Sequence, residues 1–174
     1  CTGTHDNDTT LGWLTSAKGK EKKMILRYLG EPEKALQKAI EMAENVGVGM
    51  VAVRNSNHFG IAGQYSLMAA EKGMIGLAMT NASPLVAPTH STDKMLGTNP
   101  IAVAIPAGKN RPFVLDMATT TAANGKLEIL QRKNLEAPLG WIQTAKGGDT
   151  QNSHELKKGG ALRPLGSFTN MGSH

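Results

Sequence analysis

A chain of 174 residues is long enough for one domain with a real core, since a domain of this size buries about 70% of the surface its unfolded chain exposes. The net charge of +5 is spread over lysines on presumed helix faces and loops rather than gathered with aromatics, so no nucleic-acid partner is indicated. The lone cysteine, Cys1, excludes an intrachain disulfide and a thiolate zinc cluster and favours a cytoplasmic setting, while the lack of a long apolar run or a basic-plus-apolar leader speaks against a membrane span or signal peptide.

Aromatics make up 4% of the chain, so the core is expected to be aliphatic. The first thirty residues, CTGTHDNDTTLGWLTSAKGKEKKMILRYLG, carry no long apolar-periodic element and read as polar turns. From Pro32 the pattern clears. Pro32 suits a first helical turn, Ala35, Leu36, Ala39, Ile40, Ala43 and Val46 share one helix face, and Gly47 ends it.

Met50 to Val53 reads as a short buried strand that runs into the turn-formers Arg54 to Asn57 and then His58. A helix is expected from about Ala62 to Lys72, ended by Gly73, and a strand from Ile75 to Thr80. This rhythm by itself implies parallel α/β winding. His58 then sits at a strand-to-helix junction, where a histidine can exchange a proton with a substrate. The plainer reading is a capping or partly buried polar histidine.

Asn81 to Pro100 reads as a long polar loop. Its His90 and Asp93 lack a third ligand at compatible spacing, so no metal is assigned and a solvated loop is expected there. Ile101 to Ile105 and Phe113 to Met117 read as antiparallel strands joined through PAGKNR. The small and hydroxyl residues of DMATTTAANGK follow, a composition that lets a cofactor approach the backbone; Asp116 or Thr119 serves equally well as a helix N-cap. Ala122 to Lys133 is expected to be helical and Leu139 to Ile142 a short edge strand. GGDTQNSHELKKGG reads as a polar connection with His154 at the surface.

Four segments in order, NSNHFGIAG, GMIGLAMTNASPLVAP, MLGTNPIAVAIP and FVLDMAT, followed by GGALRPLG, resemble the malate/L-lactate dehydrogenase family of NAD(P)-dependent oxidoreductases. The resemblance covers about residues 34 to 174. It implies an α+β fold with a mixed, largely antiparallel sheet packed with helices, and a non-Rossmann dinucleotide-binding domain. It further implies hydride transfer between NAD or NADP and a small 2-hydroxy or 2-keto acid, and a homodimer in the intact enzyme. On this resemblance His58 is the catalytic residue, with proton transfer by an upstream S-H-G histidine as the alternative, and Asp116, Met117, Ala118, Thr119 and Thr120 bind the cofactor. No GxGxxG follows a strand, so the cofactor rests on the family likeness alone.

THDNDT, with LGWL and RYLG, resembles a segment of 4-alpha-glucanotransferases, in which the aspartate matching Asp6 stabilises an oxocarbenium-like transition state. Residues 1–33 are therefore expected to be a foreign or poorly packed segment and residues 34–174 an incomplete catalytic domain. A glucanotransferase fragment or a non-catalytic fragment stands as the alternative. The dehydrogenase resemblance also implies an upstream S-H-G histidine and a downstream K-G-Y-G lysine, neither of which occurs here, so weak turnover is expected of the isolated chain.

Overall fold

A computed structural model describes Gly19, residues 32–54 and residues 58–167. The chain divides into two compact units, one drawn from Cys1–Leu77 and Val103–Val114, the other from Ala78–Ala102 and Leu115–His174. The segment expected to pack poorly, residues 1–33, lies almost entirely outside the described residues.

In the first unit, helix α1 spans Pro32–Val46. Ala35, Leu36, Ala39, Ile40 and Ala43 are half-buried along one side, while Lys34, Gln37, Lys38 and Glu41 face solvent, the expected amphipathic division except at the helix end, where Val46, expected on the covered face, is 77% exposed. Gly47, at φ 87°, turns the chain out of the helix and donates its N–H to the Ala43 carbonyl at 2.8 Å. The chain then doubles back so closely that a Cβ at Gly49 would overlap the Ala39 carbonyl oxygen. The strand expected at Met50 to Val53 does not form. Residues 48–54 have no regular secondary structure, and Met50 is 84% and Val53 56% exposed. An apolar run becomes a strand only where a neighbour completes its hydrogen bonds, and among the described residues none pairs with this one.

Helix α2, Ala62–Ala70, contacts α1 and buries Ala62, Gly63, Ser66 and Ala69, a small-residue stripe at helical spacing. It ends two residues before the expected Lys72, because Gly73 at φ 75° lets the Met74 N–H reach back to the Ala69 carbonyl at 3.1 Å. Strand β1, Gly76–Met79, starts hard against that helix; a Cβ at Gly76 would collide with the Ser66 backbone.

Strands β2, Ile101–Ile105, and β3, Phe113–Met117, have the expected bounds and form a three-stranded sheet in the order β1-β2-β3. Ala102 and Ala104 are fully buried and alternate with half-exposed neighbours, the period of a strand with one covered face.

In the second unit the stretch from Asn81 to Pro100 is more than a solvated loop. Val86 and Leu96 exchange backbone hydrogen bonds at 2.8 and 3.0 Å, and the Leu162 N–H donates to the Leu85 carbonyl at 2.8 Å. Val86 and Ala87 are consequently in the core, whereas His90 and Asp93 at the tip are exposed. Helix α3 spans Asn124–Arg132 and plants Leu127 in that core. It begins after Ala123, so neither Asp116 nor Thr119 caps it. Strand β4, Ile142–Gln143, is central rather than at an edge: β5, Asp149–Thr150, and β6, Ala161–Leu162, flank it, both antiparallel. Ile142 faces Thr150 on one side and Leu162 on the other. A 3-10 turn, Glu155–Lys158, occupies the supposed polar connection, and His154 before it is exposed.

The core of this unit is Val86, Leu127, Ala137, Ile142 and Leu162, with Leu85, Leu130, Trp141 and Leu156 packed around it, aliphatic but for one ring. The architecture is α+β, with an antiparallel second sheet where helix-strand rhythm alone pointed to parallel winding.

Candidate functional site

His58 belongs to the first unit and residues Asp116 to Thr120 to the second. Each has its own local framework.

His58 precedes α2 on an extended stretch and is exposed. Gly60, at φ 93°, adopts a conformation that side chains disfavour, and this bend brings its N–H to His58 Nδ1 at 3.1 Å. Nδ1 is thus the acceptor and the ring hydrogen of the neutral imidazole lies on Nε2. Phe59 ties the stretch to the helix. The Tyr65 hydroxyl donates to the Phe59 carbonyl at 2.7 Å, and the two rings meet edge to face, 5.1 Å between centroids. The histidine is therefore no helix cap: the residue before α2 is Ile61, with no side-chain cap.

At the other place, Asp116 and Met117 end β3 and are exposed, and Ala118 is half-buried. Thr119 is clamped: its N–H and Oγ1 both donate to the Thr98 carbonyl, at 2.8 and 3.1 Å. Thr98 is itself fixed by its neighbours. A Cβ at Gly97 would overlap the Ala82 carbonyl, and Asn99 Oδ1 accepts the Ala82 N–H at 3.0 Å. Thr120 forms an antiparallel bridge with Pro164, the Thr121 N–H donates to Arg163 O at 3.2 Å, and the Leu165 N–H donates to Thr119 O at 3.1 Å. Residues 119–121 are thus held between LGTNP and RPLG.

Among the side chains of residues 119–121 one polar atom is left over. Thr120 is 4% exposed, and its Oγ1 is buried without a hydrogen-bond partner among the described residues. An unpaired buried hydroxyl is costly, so a ligand oxygen or nitrogen reaching it would recover that cost. The amides and the hydroxyls of Thr119 and Thr121 already donate within the chain, so the hydroxyl of these three threonines left without a partner among the described residues is that of Thr120. On this count the residues fit a polar ligand. The residues that hold the segment, Thr98, Asn99 and Arg163, carry no local signal of that task beyond lying in the motif words LGTNP and GGALRPLG.

Residues 31–173 match the family model described as malate/L-lactate dehydrogenase. Malate dehydrogenase from Pyrococcus abyssi is 56% identical over 142 residues, covering 81% of this chain and 39% of that protein. L-sulfolactate dehydrogenase from Methanocaldococcus jannaschii is 46% identical over 134 residues, covering 77% of this chain and 38% of that protein. The solved structure of malate dehydrogenase from Entamoeba histolytica superposes with a TM-score of 0.70 at 41% identity, over 76% of this chain and 38% of that one. The chain therefore spans well under half the length of the relatives it matches. The match begins at residue 31, and the likeness of THDNDT to glucanotransferases is not borne out. Among the described residues no helix is long and apolar enough to cross a membrane.

Proposed function

Because the chain belongs to the malate/L-lactate dehydrogenase family, we propose that it serves an NAD(P)-dependent oxidoreductase acting on small 2-hydroxy and 2-keto acids. The observation that carries this reading is 56% identity, over 81% of the chain, to a protein named malate dehydrogenase. The names of two relatives, malate and L-sulfolactate dehydrogenase, support a compact, anionic 2-hydroxy acid as the substrate class.

When bound, the nicotinamide supplies the hydride acceptor for oxidation and the hydride donor for reduction. Asp116, Met117, Ala118, Thr119 and Thr120 would hold the dinucleotide, with the buried Thr120 hydroxyl, unpartnered among the described residues, as one anchor. The clamps on Thr119 and Thr121 keep that hydroxyl in place, and pre-positioning of this kind reduces the ordering cost of binding.

His58 is the proton-handling residue of the reading. With Gly60 N–H on Nδ1, Nε2 carries the hydrogen of the neutral ring and donates a hydrogen bond to a substrate oxygen, which polarises a keto carbon toward hydride. Delivering the proton in reduction requires the imidazolium, and accepting the hydroxyl proton in oxidation requires the Nδ1–H tautomer, so the Gly60 contact must open for either transfer. The intact enzyme is read as a cytoplasmic homodimer using NAD or NADP, and residues 1–33 as a segment separate from the catalytic domain 34–174. The single cysteine is in keeping with a reducing compartment.

The test is oxidation of malate, lactate and sulfolactate with each nucleotide, followed at the absorbance of the reduced nicotinamide. A chain spanning 39% of a relative is expected to turn over weakly by itself, with His58→Ala making little further difference. Robust turnover abolished by His58→Ala would confirm the histidine and refute the incompleteness. No turnover together with no dinucleotide binding would leave a non-catalytic piece.

A further inference from the structure

A cavity of about 260 Å³ lies wholly within the second unit, walled by three separate stretches: residues 88–92, Lys146 with Gly147, and Arg163 with Pro164. Hydrogen bonds hold each wall. The first is a turn in which the Ser91 N–H donates to the Pro88 carbonyl at 2.9 Å, while the buried Gln143 amide holds the Ser91 carbonyl at 2.7 Å. The second is the tip of the β4-β5 hairpin, where Thr144 and Gly148 close the loop through a 2.8 Å backbone bond and a 3.1 Å bond to the Thr144 hydroxyl. Lys146 stands exposed at that tip. The third is Arg163, one residue beyond β6, whose side chain is only 13% exposed.

The polar chemistry of the cavity is one-sided. Arg163 Nη2 donates to the Gly147 carbonyl at 3.1 Å and pairs with the Asp149 carboxylate, yet its Nε is buried without a partner among the described residues. Asp149 offsets one of the two cationic side chains, which leaves the charge of Lys146 in excess. His90, the lining residue between Thr89 and Ser91, is held at φ 66°, a conformation a side chain rarely adopts without surroundings that impose it. Thr89, Ser91 and Thr92 also line the cavity.

We propose that this cavity is a binding site for a phosphate-class oxyanion, with the Arg163 guanidinium and the Lys146 ammonium as its cationic walls. A guanidinium and an ammonium lining one cavity attract a tetrahedral oxyanion through charge-assisted hydrogen bonds, the flexible lysine supplying from the rim the charge that Asp149 does not offset. The proposal does not rest on the dehydrogenase reading. The oxyanion comes either from free inorganic phosphate or from a phosphate group of a dinucleotide.

The experiment titrates inorganic phosphate, NAD and NADP separately into the ¹⁵N-labelled 174-residue chain and follows the arginine Nε–H signals. Sodium chloride at matched ionic strength is the reference. A saturable movement of the Arg163 signal with phosphate is expected, weakened about threefold in Lys146→Ala, the weight of one exposed charge pair. Lys146 is at an exposed tip outside the core, so the variant keeps its fold, which the amide spectrum verifies. If a dinucleotide moves the signal and phosphate competes with it, the dinucleotide is the source; if only phosphate moves it, free phosphate is. Either result supports the site. An Arg163 signal that stays fixed with all three ligands, moves equally with chloride, or responds identically in Lys146→Ala overturns the proposal.

Discussion

Tyr65 holds Phe59 twice, by a 2.7 Å hydrogen bond from its hydroxyl to the Phe59 carbonyl and by an edge-to-face ring contact at 5.1 Å. Phe59 follows His58 directly, so this pair is what fixes the histidine's stretch to helix α2. Tyr65→Phe keeps the ring contact and removes the hydrogen bond to Phe59. The expected loss is about 1 kcal/mol in urea unfolding, the net worth of one such bond. An unchanged unfolding midpoint would show that the hydroxyl does not anchor the stretch.

The bond from Gly60 N–H to His58 Nδ1 makes a spectroscopic prediction. In long-range ¹H–¹⁵N spectra of the neutral ring, His58 should be the Nε2–H tautomer. Gly60→Ala, which strains a residue at φ 93°, should shift the ring toward a tautomer mixture. A predominant Nδ1–H form in the unmutated chain would remove the donor role argued for Nε2.

Thr120→Val separates binding from folding. The hydroxyl has no partner among the described residues, so replacing it with a methyl of similar shape removes an unsatisfied buried group, and stability should hold or rise by about 1 kcal/mol. Dinucleotide affinity should fall at the same time. Loss of stability with unchanged affinity would mean that the hydroxyl serves the fold.

In the core, Leu127 is fully buried among Val86, Ile142 and Leu162, so Leu127→Ala should cost about 2–5 kcal/mol in chemical denaturation. A cost below about 1 kcal/mol, the range of tolerated core swaps, would mean that α3 does not anchor the second unit.

Elements whose signal is local were legible in the sequence. The face from Ala35 to Ala43, with Gly47 behind it, specifies α1, and the bounds of β2 and β3 follow from their apolar runs. Of the second sheet the sequence offered only an edge strand at Leu139 to Ile142, which overlaps β4 at Ile142, and β5 and β6 were not readable, because two residues carry no periodicity and become strands only through pairing across the fold. The apolar run at Met50 to Val53 misleads for the converse reason, a strand-like composition without a partner. The site divides likewise. His58 announces itself within NSNHFGIAG, but the clamps on Thr119 and Thr121 come from Thr98 and Pro164, 21 and 43 residues away.

Whether this chain holds a nicotinamide dinucleotide is decided by titrating NADH and NADPH into the folded 174-residue chain and following the reduced-nicotinamide fluorescence, with Ala118→Phe alongside. A saturable change is expected with at least one of the two, weakened in Ala118→Phe while circular dichroism shows the fold retained. Absence of a saturable change with either nucleotide, or full affinity in a folded Ala118→Phe chain, would contradict the dinucleotide reading.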